Sequence, residues 1–345
     1  MTIADEWYMR RALELAALGI HTTRPNPMVG CVITHKGKII GEGWHQQYGG
    51  PHAEVIAVNA VVDKSLLPQC KIYVTLEPCS HFGKTPPCAD FLIQHGVKSI
   101  FICNTDPNPL VAGRGIRKLL DAGCEVHVGL LEAAGLELNK RFFKFHQVKQ
   151  PYIILKWAET ADGFIAHPTG EPLAVSGALA KKLVHKWRTE EQAIMVGTRT
   201  ALADNPQLNA REWTGNSPVR IVIDKTLRLP ANLYLFDQTQ PTLIYNYQRQ
   251  EQDGNLEYVK IEAAPDLTEH ILLDLYRRSI QSVLVEGGTT LLNYFLTANN
   301  WDEIRILRSP QRLNAGVIAP VKPFANLMQT RALGEDQLLI FKKTN

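Results

Sequence analysis

The placement of cysteine constrains this chain more than any other feature. All six cysteines (Cys31, Cys70, Cys79, Cys88, Cys103 and Cys124) fall in the first third or so of 345 residues, and the remainder has none. Cysteines this sparse do not build a disulfide scaffold in a long chain. The asymmetry points instead to two units with different chemistry, and the length fits two domains, or three, at roughly 100–200 residues each. Hydrophobic residues are 45% and charged residues 21%, which supplies apolar material for real cores and excludes a disordered chain. Lysine plus arginine is 37 against 34 acidic residues, a net +3, which excludes a strongly basic nucleic-acid coat and a strongly acidic tail. The acidic start lacks the apolar core of a signal peptide, and no apolar run approaches the ~18–20 residues of a membrane span. The expectation is a cytoplasmic protein with no nucleic-acid or membrane partner.

Strand and helix signals alternate, as in a layered α/β domain. The spacing predicts helices over 5–18, 52–62, 88–95 and 113–122, a hairpin over 29–33 and 38–41, and strands over 72–76, 99–103 and 125–128. A single helix over 130–144 is expected to serve as a connector. Beyond Pro151 the pattern predicts strands over 152–156, 193–196, 219–224, 242–245, 282–286 and 303–307, with helices over 178–189, 267–278 and 290–296. The domain boundary is placed between 147 and 148.

One constellation in the first half carries chemistry. His52-Ala53-Glu54 sits at a predicted helix start, a strand then ends in Glu77-Pro78-Cys79, and Cys88 follows Pro86-Pro87 at the next helix start. One imidazole and two thiolates make three zinc ligands, which is what a catalytic zinc site needs if its fourth position is left to water. A helix start favours the thiolate form of Cys88. Glu54 need not be a ligand and is placed to carry a proton from the zinc-bound water to a leaving amine. Taken singly, a His-x-Glu on an exposed helix and a spaced pair of cysteines are common. Their conjunction matches the zinc deaminases, which join H-x-E to P-C and a second cysteine, although here eight residues replace the usual two between the cysteines. Cys31, Cys70, Cys103 and Cys124 read as core residues.

The run from Leu76 to Cys88 resembles the bacterial riboflavin-pathway deaminase, as do Pro25-Asn26-Pro27-Met28-Val29-Gly30-Cys31, Gly41-Glu42-Gly43-Trp44-His45 and Asp106-Pro107-Asn108-Pro109. This resemblance implies a cytidine-deaminase-like α/β/α domain in which His52, Cys79 and Cys88 hold one Zn2+ and Glu54 is catalytic. It implies a phosphoribosylaminopyrimidine substrate, a 2,5-diamino-pyrimidinone from whose ring ammonia leaves. Asn26, His45, Lys84 and Asn108 lie in matching loops as base or phosphate contacts, with a solvated loop lysine the plainer reading of Lys84.

In the second half two patterns stand out. One is Val196-Gly197-Thr198-Arg199-Thr200 running on to Asp204-Asn205-Pro206-Gln207-Leu208. The other is Val283-Leu284-Val285-Glu286-Gly287-Gly288-Thr289-Thr290. The latter is a buried strand feeding Gly-Gly and a helix start, where backbone amides can cradle a phosphate, though it is not the G-x-G-x-x-G fingerprint. Together they resemble the reductase half of the bifunctional riboflavin-biosynthesis family, which implies a dihydrofolate-reductase-like α/β domain, NADPH as hydride donor and a ring-opened phosphoribosyl imine as acceptor. Matching positions place the cofactor at Ala158, Ala174, Thr200, Asp204, Gly288, Thr289, Thr290, Leu291, Leu292, Asn293 and Tyr294. They place substrate at Pro172, Arg188, Leu208, Arg211 and Glu286, with the two arginines suited to a terminal phosphate. Pro172 and Ala174 stand where the family has a serine and a tryptophan, which removes a hydroxyl and an aromatic face from the rim. The resemblance further implies a homo-oligomer, a dimer or tetramer.

Three other readings have distinct signatures. A deaminase of nucleosides or transfer RNA with an unrelated appendage would carry a basic footprint. A structural zinc domain would close with a fourth ligand and need no adjacent acid. An active deaminase joined to a degenerate reductase-like module would bind nucleotide without turnover.

Overall fold

The structure, a computed structural model, describes residues 1–80, 86–109, 111–169, 173–262 and 267–343. The chain divides into two compact units, Met1–Lys149 and Gln150–Asn345. Among the described residues no helix is long and apolar enough to cross a membrane.

The first unit runs α1 (Ile3–Ala17), β1 (Gly30–His35), β2 (Lys38–Trp44), α2 (Ala53–Ala60), β3 (Lys71–Leu76), α3 (Cys88–Gln94), β4 (Ser99–Asn104), α4 (Arg114–Asp121), β5 (Glu125–Val128), α5 (Glu132–Leu138) and α6 (Lys140–Val148). Its sheet has the order β2-β1-β3-β4-β5. β1 is antiparallel to β2 and β3, while β3, β4 and β5 are mutually parallel. Side chains on a strand alternate between faces, and the core sorts accordingly. Cys31, Ile33, Ile72, Val74, Ile100 and Ile102 pack with α2, α3 and α4 on one face. Val32, Tyr73, Phe101 and Cys103 pack with Met9, Ala12 and Leu15 of α1 on the other. The result is an α/β/α sandwich whose parallel strands end at the same edge.

The start of α1 is pinned by a buried acid. Thr2 and Asp5 form a capping box. Asp5 also accepts the Tyr73 hydroxyl at 2.7 Å and Lys71 Nζ at 3.3 Å. Burial pushes the Asp5 carboxyl up, but the bonds from Tyr73, Thr2 and Lys71 outweigh it and hold it well below the usual carboxylate range.

The helix expected over 130–144 is two helices. Asn139 turns its side chain onto the backbone of Met28, accepting from its N–H at 2.9 Å and donating to its carbonyl at 2.8 Å. That tertiary pairing takes Asn139 to φ −102°, outside the helical range, and ends α5. α6 is not a free connector: Phe142 and Phe143 pack on Leu76 within the first unit.

The second unit runs β6 (Tyr152–Glu159), β7 (Phe164–Ala166), α7 (Ala178–Glu190), β8 (Ala193–Gly197), α8 (Thr198–Asp204), β9 (Val219–Ile223), β10 (Thr242–Asn246), β11 (Glu251–Asp253), β12 (Leu256–Lys260), α9 (Leu267–Arg277), β13 (Ser282–Val285), α10 (Thr289–Thr297), β14 (Glu303–Arg308), β15 (Val317–Ile318), β16 (Asn326–Leu333) and β17 (Asp336–Lys342). The main sheet has the order β11-β12-β10-β9-β8-β13-β6-β14-β17-β16. From β12 across to β14 every neighbouring pair is parallel. α9 and α10 cover one face through Ile271, Leu272, Leu292 and Phe295. α7 covers the other through Ala180, Val184 and Trp187. The sequence reading found no strand near the C-terminus, yet β16 and β17 form a hairpin that extends the sheet antiparallel to β14. β16 is exposed along nearly its whole length, so its sequence carries no inward and outward alternation to read.

Candidate active sites

Local structure brings the first-half residues together at the carboxyl edge of the parallel strands. His52 is the residue capping α2, and Glu54 lies in that helix's first turn. Cys79 follows β3, and Cys88 opens α3 directly after Pro87. A proline there fixes φ before a helix and has no N–H to strand. The His52 Nδ1 atom lies 3.2 Å from Cys88 Sγ and 3.6 Å from Cys79 Sγ, and the Cys88 backbone N–H donates to Cys79 Sγ at 3.3 Å. The candidate ligand atoms all lie within 4.8 Å of one another, and among the described residues the group has these three members only. A compact nitrogen and two sulfurs suit zinc, and Nδ1 is the imidazole atom that faces it. The bond from the Cys88 thiol pulls the Cys79 thiol down, while that bond and burial push Cys88 up, against the thiolate expected of it at a helix start. The four remaining cysteines are buried and unpaired with one another, in the core as expected.

Glu54 is 3% exposed, and burial pushes its carboxyl up against the opposing pull of His52. His45 donates from Nδ1 to the Pro51 carbonyl at 3.0 Å, which leaves Nε2 to accept from Asn26 Nδ2 at 3.1 Å. Burial keeps this imidazole neutral, and its ring meets His52 edge-on at 5.5 Å. Asn26 and His45 therefore gather beside the candidate ligand His52. Asn108 lies in the loop after β4, and β4 is the parallel neighbour of the strand that leads to Cys79. Lys84 lies outside the described residues.

In the second unit, Arg188 of α7 forms a fork with Glu286: Nε and Nη2 each donate at 3.0 Å, and Nη1 donates to the Asn209 carbonyl at 3.0 Å. Lys156 Nζ sits 3.6 Å from the same carboxylate. The two expected substrate residues Arg188 and Glu286 thus hold each other. Arg211 is exposed, with one bond to the Asn209 side chain at 2.9 Å. Arg188, Arg211, Leu208 and Asp204 line one cavity of about 360 Å³, with Gln207 and Tyr234. The loop enters it through left-handed Asn205 (φ 39°) and Leu208 (φ 51°), conformations that cost a non-glycine residue about 1–3 kcal/mol.

β8 and β13 are parallel neighbours, and each feeds a helix start, α8 and α10. The two starts are bridged by the Gly288 N–H, which donates to Thr200 Oγ1 at 3.0 Å. A Cβ on Gly287 would lie 2.9 Å from Leu291, so the approach requires glycine. Thr289 bonds the Ile318 carbonyl at 2.7 Å, Thr290, Asn293 and Tyr294 are exposed, and Ala158 is half-buried on β6. The side chains of Leu291 and Leu292 are buried in the core, and the Leu292 N–H bonds the Gly288 carbonyl. Ala174 is exposed, and Pro172 lies outside the described residues. Lys156 and Lys225 were not singled out from sequence. A lysine inside the apolar run of β6 was the available signal for the first.

Residues 2–104 match the model of the cytidine and deoxycytidylate deaminase zinc-binding region, and residues 151–333 match the RibD C-terminal domain. The riboflavin biosynthesis protein RibD of Aquifex aeolicus is 36% identical over 353 residues, covering 98% of each chain. The chain belongs to the RibD family. RibD of Actinobacillus pleuropneumoniae is 44% identical over 301 residues, 84% of this chain and 79% of that one. RibD of Escherichia coli is 38% identical over 330 residues, 90% and 89%. Among solved structures, Acinetobacter baumannii RibD superposes with a TM-score of 0.91 at 34% identity over 99% of both chains. A Thermotoga maritima structure titled a diaminohydroxyphosphoribosylaminopyrimidine deaminase and 5-amino-6-(5-phosphoribosylamino)uracil reductase gives 0.90 at 34% identity, again over 99% of both. The fold class of this family member is a cytidine-deaminase-like domain followed by a RibD reductase domain.

The Glu286 site makes a pH prediction. Burial pushes this carboxyl up, but Arg188 and Lys156 outweigh burial and hold it at about 2, against an ordinary 4.5. A depressed carboxylate contributes stability that is fully present above its unfolded value and is lost as pH falls through the folded one. The expected outcome is that wild type unfolds at a higher temperature than Glu286→Gln above pH 4.5, and that the gap closes as pH falls from 4.5 toward 2. A gap independent of pH over that window in thermal melts would show that the charge pair does not carry it.

Proposed function

We infer that the chain performs two successive steps of riboflavin biosynthesis: zinc-dependent hydrolytic deamination of 2,5-diamino-6-(5-phosphoribosylamino)pyrimidin-4(3H)-one, then NADPH-dependent reduction of the ribosyl group of 5-amino-6-(5-phosphoribosylamino)uracil to ribityl. The observation that carries the first step is a buried acid, Glu54, in the first turn of the helix that His52 caps, beside a three-ligand group with no fourth member among the described residues. A structural zinc site needs neither feature. The full-length likeness to a protein titled both deaminase and reductase supports the second step over a degenerate module.

When bound by His52 Nδ1 and the sulfurs of Cys79 and Cys88, zinc supplies a water whose pKa falls to about 7. Glu54 does the proton work. Its raised carboxyl accepts a proton from the attacking water and hands it to the departing amine, which leaves as ammonia. The neutral His45, fixed by Pro51 and Asn26, packs edge-on against His52, and Asn26 and Asn108 hold the pyrimidinone by its polar edge. In the second unit the first-turn amides of α10 and Thr200 hold the cofactor's pyrophosphate, as unpartnered amides at a helix start do. Arg211 is the exposed cation for the substrate phosphate, and Arg188 keeps Glu286 ionised and braces the 205–211 loop. Bound NADPH would supply the hydride that reduces the ring-opened imine at C1′, with the proton for its nitrogen drawn from solvent. Positioning carries most of such a reaction.

Lys225 supports NADPH over NADH. Its Nζ lies 3.2 Å from Tyr294 Oη and 4.8 Å from that ring's centroid, with the Tyr247 ring at 6.0 Å. This cation beside the expected cofactor segment suits a 2′-phosphate. The working unit is a homo-oligomer: β16 ends its sheet as an exposed edge carrying Leu327 and Met328, a template on which a second copy can pair. Six unpaired cysteines suit a reducing, cytoplasmic setting.

Three measurements test these readings. Glu54→Gln should keep its zinc by metal analysis while ammonia release falls by about 10²–10⁴-fold; release at the parental rate refutes the proton role. Lys225→Gln should raise the dissociation constant for NADPH by about tenfold to a hundredfold in fluorescence titration and leave that for NADH unchanged. Equal change for both cofactors removes the 2′-phosphate assignment. Light scattering should give two or four chains per particle, and a monomer would exclude pairing at β16.

A further inference from the structure

Glu77 follows β3 directly and precedes Pro78 and the zinc-ligand candidate Cys79. It is 4% exposed. Its carboxylate accepts four backbone N–H groups: Asp106 at 3.2 Å and Gly113 at 3.0 Å on Oε2, Gly115 at 2.9 Å and Ile116 at 3.3 Å on Oε1. The last two belong to the first turn of α4, where the helix dipole favours a negative charge. The Glu77 N–H in turn bonds the Asn104 carbonyl at 2.9 Å. Around this carboxylate the chain closes on itself. The Asp106 side chain accepts the Asn108 N–H at 2.8 Å, and the Asn108 carbonyl accepts Val111 at 2.8 Å and Ala112 at 2.9 Å. The fit is tight enough that a Cβ on Gly115 would lie 2.0 Å from the Pro78 carbonyl oxygen.

We propose that Glu77 is a positioning residue of the deaminase site, the internal anion around which the loop carrying Asn108 is wound, so that Asn108 is presented to substrate beside the Cys79 turn. The proposal rests on the deaminase reading of this site and on Asn108 as a substrate contact. The physical reason is the number of donors. Four N–H groups aimed at one buried point require a charged acceptor with several lone pairs, and a neutral amide presents hydrogens to some of them. Without the charge the 104–109 and 111–116 segments lose their common anchor, while His52, Cys79 and Cys88 keep their own elements. The same arrangement means that the start of α4 already has its anion, so the substrate phosphate is bound elsewhere.

The test compares Glu77→Gln and Asp106→Ala with the parental full-length enzyme. The second variant removes the carboxylate that accepts the Asn108 N–H, leaves Glu77 in place, and decides the matter if the first fails to fold. Both should keep parental zinc content and parental NADPH-dependent reductase turnover. Both should raise KM for the phosphoribosyl diaminopyrimidinone by about tenfold or more while kcat changes by less than about threefold. Calorimetric binding of the deaminated product should weaken by a similar factor. Asp106→Asn, which keeps an oxygen acceptor for the Asn108 N–H, should restore KM. The proposal is overturned if KM and product binding stay within about twofold of parental values in Asp106→Ala, or if the loss appears in kcat or in zinc content. A parental enzyme that binds product but releases no ammonia would instead count against the deaminase reading.

Discussion

Everything in the first unit depends on bringing one imidazole nitrogen and two sulfurs into a space a few ångströms across. Three different elements supply them, and each supplies its ligand at a helix start or a strand end. Those are the points where backbone groups lack regular partners and can turn toward a shared centre. The Cys88 N–H donating to Cys79 Sγ shows how this works, since a helix start contributes a hydrogen bond to a sulfur as well as a ligand of its own. The parallel strands β3 and β4 then deliver the remaining polar residues to the same edge.

The second unit follows the same rule with different materials. β8 and β13 run side by side, and both hand over to helices whose starts meet through Thr200 and Gly288. Open parallel sheets bind ligands in the crevice beyond their carboxyl ends. Its charged centre is a closed pair, Arg188 with Glu286, assisted by Lys156, in place of a metal. Removing one partner would leave the other buried charge uncompensated, which is costly by several kcal/mol.

The convergence of His52, Cys79 and Cys88 was legible in the sequence because these are rare residue types at local landmarks: a histidine at a helix start, a cysteine after a strand and another after a Pro-Pro step. The sandwich of the first unit was legible for a similar reason, since alternating apolar strands can be read by eye. Pairings across long stretches of chain were not. Arg188 and Glu286 were each assigned to substrate, and nothing local says that residues 98 apart in sequence grip one another. Leu291 and Leu292 matched a cofactor segment by position, while the helix period turns both inward. Glu77 was read only as part of a motif, because its partners are backbone amides that have no signature in sequence. In the final hairpin β16 escaped because an exposed edge strand has no buried face to pattern it, while β17 carried an apolar run, with Leu338, Leu339 and Phe341 buried, that went unread.

Asn139 has a reach beyond its own helix break. By gripping both backbone groups of Met28, it fastens the last stretch of the first unit to the loop that carries Asn26. α6 continues from that point and covers Leu76, just ahead of the Glu77-Pro78-Cys79 turn. A protease cut or a gene truncation that frees the deaminase half must therefore fall after Val148. Severing the chain before Asn139 would spare His52, Cys79 and Cys88 and still release the loop of Asn26 and Met28 from its far-end tether.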